Sequence, residues 1–210
     1  MLKVALINGS PKAERSNSQH IIDELKEELK EDCRIEEIPM HTGRVENPRK
    51  LFSCSVWVFV FPLYVDAVPS HLLRCLQQLE SYMALEQPSV TVYAVVQNGF
   101  YEAEQNQPAM EMMENWCARC YLNWGMGVGV GGGGMLTMLD QKHNFCMLNI
   151  EETLGSLAEC ILEEKNAPVQ FAEPNLPRKI YQLAAEKSLQ KTAKANGLTR
   201  EDLRKRAGED

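Results

Sequence analysis

Short apolar runs alternate along the chain with longer segments in which apolar residues recur at helical spacing. Runs rich in β-branched and aromatic residues predict strands at residues 3–8, 33–38, 55–61, 90–96 and 124–130. Apolar residues spaced by three or four positions predict helices after residue 18, from residue 70, over 108–120 and over 151–164. The pattern therefore predicts a regular succession of strands and helices.

This succession predicts an α/β fold with one five-stranded parallel sheet covered on both faces. Parallel neighbours need crossover connections, and these are most often helices. The run "SVWVFVF" at 55–61 is almost wholly apolar, which is typical of a central strand. We expect residues 1–165 to form this domain and residues 166–210 to add a linker and a C-terminal helical extension to the same domain.

Composition and charge narrow the class of protein. With 44% hydrophobic and 24% charged residues the chain is typical of a soluble globular protein. The net charge of -7 disfavours nucleic acid as a partner, although residues 178–210 carry nine Lys or Arg against five Asp or Glu. No apolar stretch is long enough for a membrane span or a secretory signal. We expect a cytoplasmic protein with no membrane partner, whose seven cysteines are reduced thiols.

The first strand is followed by a loop, "GSPKAERSNS", that is rich in hydroxyl and amide side chains. Small residues let the backbone approach a ligand closely, and the helix that follows presents the positive end of its dipole. Both features suit a dianionic phosphate. A capped strand-to-helix turn without a ligand explains the same residues, so both interpretations stay open here.

Three further loops follow the third, fourth and fifth strands. Residues 62–69 form an apolar, aromatic loop between two prolines, and residues 97–102 combine amides with two aromatic rings. Residues 131–134 are four consecutive glycines, which permit close backbone approach. In parallel sheets ligands bind outside the carboxyl ends of the strands, so these loops predict one site.

These motifs resemble those of a known family. "NGSPKAERSNS", "PLYVDAVPSHLL", "QNGFYEAEQNQ" and the glycine cluster are similar to the flavodoxin-like NAD(P)H-dependent FMN reductases and their quinone-reductase relatives. The tail "LPRKIYQLAAE" also resembles the C-terminal part of a bacterial branch of that family. The resemblance implies a flavodoxin-like three-layer sandwich with strand order 2-1-3-4-5, bound FMN, and a homodimer whose subunit contacts help to close the flavin site.

The resemblance also assigns cofactor-binding residues by position. The FMN phosphate would contact four polar residues with assistance from one lysine: Ser10, Ser16, Asn17 and Ser18, with Lys12. The isoalloxazine would lie against Pro62, Leu63, Tyr64 and Val65, and its pyrimidine edge against Asn98, Gly99 and Phe100. Gly131 and Gly132 would give further backbone approach. The family often has an arginine where this chain has Lys12.

The implied activity is an FMN-dependent oxidoreductase. Hydride would pass from NADH or NADPH to bound FMN and then to a small acceptor, by a ping-pong mechanism. That acceptor would be a flavin, a quinone, an azo or nitro compound, or a metal chelate. The flavin carries the electrons, so no side chain is assigned a catalytic role and no metal site is expected. The alternative is an electron carrier or flavin-binding module that exchanges electrons with protein partners; a scaffold without cofactor is a third.

Three other motifs are weaker indications of function. Residues 127–132 match G-x-G-x-x-G formally, but they follow the last strand and no clear helix opens there. Cys117 and Cys120 form one C-x-x-C within a predicted helix, which favours two semi-buried thiols over a redox or zinc site. His20 and His71 lie near helix starts beside the predicted site, where histidines more often cap or face solvent.

Overall fold

The computed structural model describes residues 1–12, 16–86, 88–138 and 144–205. Residues 13–15 of the first loop, Arg15 among them, lie outside the described residues. The chain forms two compact units, Met1–Asn175 and Leu176–Asp210. The first unit contains the whole sheet.

Six parallel strands form one sheet in the order β2-β1-β3-β4-β5-β6. Their bounds are β1 Leu2–Asn8, β2 Cys33–Pro39, β3 Val56–Pro62, β4 Thr91–Gln97, β5 Asn123–Val130 and β6 Gln170–Ala172. The predicted order of the first five is confirmed, but the predicted number is wrong. The sixth strand lies in the segment predicted to be a linker, where its three residues pair with Val128–Val130. A run of three residues has no periodicity of its own, so only the free edge of β5 selects it.

Helices connect the strands. In the first unit they are α1 Asn17–Leu29, α2 Pro48–Phe52, α3 Ser70–Glu86, α4 Gln107–Arg119 and α5 Leu148–Leu162. The short helix α2 was not predicted, because five residues are too few to show a 3.6-residue period. Its start is nevertheless typical, with Asn47 capping the backbone N–H of Lys50 and Pro48 in the first turn.

Two apolar cores, one on each face of the sheet, give three layers. Alternate residues of β1 point to opposite faces: Ala5 and Ile7 join the core beneath α3 and α4. Val4 and Leu6 join the core beneath α1 and α5. Strand β3 is buried along its whole length, as the sequence "VWVFVFP" predicts for a central strand. The predicted α/β sandwich is therefore confirmed.

The strand register brings four loops to the same edge of the sheet. Asn8 at the end of β1 pairs with Val60, two residues before the end of β3. Pro62 at the end of β3 pairs with Gln97, and Gln97 pairs with Val130 at the end of β5. The chain leaves β1 for β2 on one side and returns for β3 on the other, so the winding direction reverses at β1. This is the position at which open parallel sheets bind ligands.

The second unit contains α6, Arg178–Ala195, followed by a 3-10 turn, Asp202–Arg204. Thr199 and Asp202 form reciprocal capping-box hydrogen bonds. Hydrogen bonds from the Thr199 hydroxyl and backbone lower the pKa of Asp202 to about 2.

Candidate functional site

A cleft of about 230 Å³ opens at the carboxyl edge of the sheet. Three of the four predicted loops contribute to its lining, which consists of Ser10, Lys12, Ser16, Asn17, Pro62, Leu63, Tyr64, Gln97, Asn98 and Gly99. Nine of these ten residues are among the fourteen predicted from the sequence. The structure thus brings the predicted phosphate and ring segments together.

Gly9 sets the path of the chain as it leaves β1. Its N–H donates to the Val60 carbonyl at 2.8 Å, which extends the pairing of β1 with β3 by one residue. A Cβ at this position would lie 2.7 Å from Leu72 Cδ2 and 2.9 Å from Phe61 Cβ. Only glycine therefore lets the loop turn this close to β3 and α3.

Ser10 is held by its neighbours in the loop. Its N–H donates to Asn8 Oδ1 at 3.0 Å, and its Oγ accepts from the Lys12 backbone N–H at 3.2 Å. A hydroxyl that accepts through its oxygen still has its own proton to donate. Ser10 is almost fully buried yet lines the cleft, so this proton can be offered to an anionic ligand.

The next polar residues form the start of α1. Ser16 is the N-cap, and its Oγ accepts from the Gln19 N–H at 3.1 Å. Asn17 Nδ2 donates to the Gly133 carbonyl at 2.8 Å and so ties the first loop to the glycine cluster. Both residues thus have structural roles besides lining the cleft, and the helix dipole adds positive potential there.

Ser18 is fully buried, and its Oγ has no hydrogen-bond partner among the described residues. An unpartnered buried hydroxyl costs about 1–3 kcal/mol, so such groups are rare in folded proteins. Ser18 lies in the first turn of α1, beside Asn17 of the cleft wall. Ser18 itself is not part of the cleft lining.

Both polar atoms of the Asn98 side chain form hydrogen bonds within its own loop. Its Oδ1 accepts from the Phe100 N–H at 2.9 Å, and its Nδ2 donates to the Glu102 carbonyl at 3.1 Å. Gln97, which the sequence analysis missed as a site residue, also lines the cleft. Its carbonyl accepts from the Leu63 N–H at 2.8 Å. Its position as the last residue of a buried strand is the sequence feature that marks it.

The glycine cluster packs against the protein itself. A Cβ at Gly131 would lie 2.1 Å from the Tyr101 carbonyl oxygen. The Gly132 N–H donates to the Phe100 carbonyl at 2.6 Å. Gly131 and Gly132 are buried and are not part of the cleft lining, so their lack of side chains accommodates the neighbouring loop.

The aromatic loop is a tight hairpin. Tyr64 and Ala67 exchange backbone hydrogen bonds of 3.1 and 3.2 Å around two residues with positive φ, Val65 at 51° and Asp66 at 54°. Tyr64 lines the cleft and is 45% exposed, whereas Val65 at the hairpin tip is 97% exposed. Phe100 is also exposed and outside the lining. Of Tyr64 and Phe100, only Tyr64 therefore lines the cleft.

The hairpin tip carries backbone strain that a substitution can remove. The double variant Val65→Asn, Asp66→Gly places at the turn the residue pair that tolerates positive φ at both positions. We expect it to raise the free energy of unfolding by about 1–2 kcal/mol, measured by urea denaturation. An unchanged or lower stability would contradict the assignment of strain to this turn.

Two histidines that do not line the cleft donate hydrogen bonds to the backbone of the first loop. His41 Nδ1 donates to the Ser10 carbonyl at 2.6 Å, and His71 Nε2 donates to the Gly9 carbonyl at 3.1 Å. Burial lowers the pKa of His71; its hydrogen bond to Gly9 opposes this and the nearby His41 adds to it. The sequence showed His71 near the site, whereas His41 carried no recognisable pattern.

The C-x-x-C pair does not belong to the cleft. Cys117 and Cys120 are free thiols on and just beyond α4, and burial raises the pKa of both. Protonated thiols are poor nucleophiles and poor metal ligands. Within residues 1–12, 16–86, 88–138 and 144–205, no group of three or more His, Cys, Asp or Glu side chains could hold a metal ion. None of the helices described there could span a membrane.

No protein-family model matches the sequence, and no curated protein matches it. The structure is similar to Fusobacterium nucleatum flavodoxin bound to flavin mononucleotide, with a TM-score of 0.56 and 11% identity over 79% of this chain and 100% of that chain. The fold is flavodoxin-like. Its sixth strand extends the expected sheet at the β5 edge.

Enzymes share this flavodoxin-like fold. An FMN-dependent NADH-azoreductase from Bacillus anthracis in complex with FMN has a TM-score of 0.55 and 15% identity, over 76% of this chain and 99% of that chain. RosB, with a bound formylriboflavin phosphate intermediate, has a TM-score of 0.60 and 11% identity, over 78% of each chain. At such identities the likeness concerns the fold alone.

Proposed function

We propose that this protein binds FMN and acts as an NAD(P)H-dependent oxidoreductase on a small acceptor. The observation that carries the proposal is the cleft at the switch point of the sheet, which brings Ser10, Ser16 and Asn17 at the N-terminus of α1 to one site with the apolar segment 62–64. A phosphate at this helix N-terminus would accept hydrogen bonds from the hydroxyls of Ser10 and Ser16 and would be favoured by the helix dipole. The residues present therefore fit a flavin phosphate.

Two groups of residues would hold FMN. Ser10 and Ser16 of the cleft lining, together with Ser18 in the first turn of α1, would donate hydroxyl hydrogen bonds to the phosphate, with Asn17 nearby and the Lys12 ammonium adding charge from the exposed side of the loop. A lysine ammonium is a point charge, whereas an arginine guanidinium is planar and can donate two parallel hydrogen bonds. Lys12 would therefore attract the phosphate without fixing its orientation.

The ring system would lie on the other side of the cleft. Pro62, Leu63 and Tyr64 give one apolar wall, and Gln97 and Gly99 give polar side-chain and backbone groups. Bound FMN would supply the two-electron redox chemistry. The exposed rim at Tyr64 would admit donor and acceptor in turn, which favours a ping-pong order. The acceptor class that we propose is a flavin, quinone, azo or nitro compound, or metal chelate.

Homodimer formation is part of the proposal. Val65 and Phe100 are exposed by 97% and 57%, on loops that line the cleft. Large apolar side chains at such positions favour contact with another apolar surface. A second subunit would cover them and enclose a cleft that is otherwise below the usual range of about 300–1,000 Å³ for ligand pockets.

The second candidate is an electron carrier that uses no nicotinamide. The same exposed rim favours it, because a carrier needs an accessible ring edge for transfer to a protein partner. Residues 1–177 carry a net charge of -11, against +4 in residues 178–210, and acidic faces suit electrostatic docking of redox partners. The two candidates differ in whether reduced nicotinamide delivers electrons directly.

The test is a visible absorption spectrum of the purified protein after loading with FMN and removal of the excess. Anaerobic NADH and then NADPH are added to separate samples. We expect a retained flavin band that bleaches with at least one nicotinamide. A retained band that stays unchanged with both would favour the electron carrier, and absence of retained FMN would overturn FMN binding altogether.

A further inference from the structure

Two imidazole rings from different parts of the fold donate hydrogen bonds to the backbone of the Gly9–Ser10 segment. His71 lies in the first turn of α3, and His41 follows β2. They donate to two consecutive carbonyls, Gly9 at 3.1 Å and Ser10 at 2.6 Å. Neither ring is part of the cleft lining, so the histidines contact the loop and not the ligand space.

Hydrogen bonds join the loop that carries His41 to helix α3. Gln78 Nε2 donates to the Gly43 carbonyl at 2.8 Å, and Gln78 Oε1 accepts from the Val45 N–H at 3.2 Å. Gly43 has a φ of +73°, and a Cβ there would lie 3.4 Å from the His71 carbonyl oxygen. Both rings are therefore positioned by the same junction.

The carbonyl acceptors determine which nitrogen of each ring carries a proton. A carbonyl oxygen can only accept, so His41 carries a proton on Nδ1 and His71 carries one on Nε2. The opposite nitrogen of His71 remains basic. Taking up a proton there leaves the hydrogen bonds to Gly9 and Ser10 unchanged and adds one positive charge behind the loop.

We propose that His41 and His71 are positioning residues for the phosphate loop, and that the pair takes up a proton when a phosphate dianion binds in front of it. The proposal rests on the assignment of this loop as the FMN phosphate site. It couples the affinity for FMN to pH through groups that do not touch the ligand.

Repulsion between the two rings limits the pair to a single proton. Cations on the surrounding elements are Lys12, Arg44 and Arg74, and Glu46 is the acidic residue on the His41 loop. The two histidines also repel each other when both are charged. The dianion that fills the site offsets this repulsion, which is why proton uptake follows ligand binding.

The sign of the pH dependence follows from these charges. Burial holds the pKa of His71 below its ordinary value of 6.5 in the free protein. A bound dianion stabilises the imidazolium and raises this pKa, so FMN affinity increases as the pH falls through the interval between the two values. The second ionisation of the FMN phosphate near about pH 6 acts in the opposite direction, and comparison between variants removes that contribution.

The chain offers matched substitutions for the test. His41→Asn keeps a donor at the place of Nδ1, and His71→Gln keeps one at the place of Nε2, but neither amide titrates. His41→Ala and His71→Ala remove the donors as well. Dissociation constants for FMN and for riboflavin, which lacks the phosphate, are measured by flavin fluorescence between pH 5.5 and about pH 8.5.

We expect the amide variants to bind FMN as the wild type does at high pH and to bind it about fivefold more weakly near pH 5.5, the effect of about one unit charge near a phosphate. Riboflavin binding should show no such difference. The alanine variants should bind FMN about tenfold more weakly even at high pH, because the loop loses its support.

Two outcomes would overturn the proposal. Parallel pH profiles of wild type and amide variants would exclude the proton uptake, and alanine variants with unchanged FMN affinity would exclude positioning. NMR titration of the wild-type histidine rings, with and without FMN, decides the first point even where a variant fails to fold: the pKa of at least one ring must rise on binding. Wild-type protein that binds no FMN at all would instead overturn the proposed function, and with it this proposal.

Discussion

Replacing Gly131 by alanine is expected to lower the free energy of unfolding by about 3 kcal/mol, because the new Cβ has no space. It would lie 2.1 Å from the Tyr101 carbonyl oxygen and 3.0 Å from the Ala103 backbone N. Both atoms belong to backbone, so no side chain can rotate away, and the 98–103 loop must move. We expect urea denaturation to show the loss of stability and FMN titration to show weaker binding.

A matched control is Gly155→Ala in helix α5. A Cβ at Gly155 meets no atom within 4 Å. Alanine in place of a helical glycine stabilises by about 0.5–1 kcal/mol, so the same chemical change should act in opposite directions at the two positions. Equal stability of the Gly131 variant and the wild type would show that the glycine cluster does not support the neighbouring loop.

Ser18→Ala is expected to raise the stability of the protein and to weaken FMN binding. In the FMN-free protein the variant removes a buried hydroxyl that has no partner among the described residues, so the free energy of unfolding should rise by about 1 kcal/mol. FMN affinity should fall about tenfold to a hundredfold, since a hydrogen bond to a charged group is worth about 1.5–3 kcal/mol. Chemical denaturation and flavin fluorescence measure the two effects.

Two serine variants serve as controls for this result. Ser16→Ala removes the N-cap of α1 and should lower stability by about 0.5–2 kcal/mol while also weakening FMN binding. Ser156→Ala, at an exposed hydroxyl on α5 that donates to Glu152, should change neither quantity appreciably. If Ser18→Ala left FMN affinity unchanged, the assignment of the phosphate end of the cleft would be wrong.

The candidate site was predictable to the extent that its residues are contiguous in sequence. Ser10, Lys12, Ser16 and Asn17 belong to one loop, and its strand-to-helix context indicates a phosphate from local pattern alone. Gln97 was missed because a polar residue at the end of an apolar strand is ambiguous until the neighbouring strands are in register. The roles of all these residues toward FMN stay predictions.

Other expectations changed once distant segments were brought together. The sequence indicated that Gly131 and Gly132 leave room for a flat ligand, whereas the tertiary structure fills that room with the loop after β4. His41 became relevant only because the chain after β2 returns to the carbonyl of Ser10, 31 residues earlier. No local pattern encodes either contact.

The order of the first five strands was implied by the resemblance to a known family. By itself, then, the amino-acid sequence determined the strands and helices with a clear period and the loop chemistry at their carboxyl ends. These depend on local periodicity, on side-chain type and on the right-handed crossover that covers both faces of a parallel sheet. Only the tertiary structure decided the three-residue strand β6, the five-residue helix α2, the packing of the glycines and the histidine pair. Each of these is held by partners far away in the chain, and segments this short have no local preference strong enough to specify them.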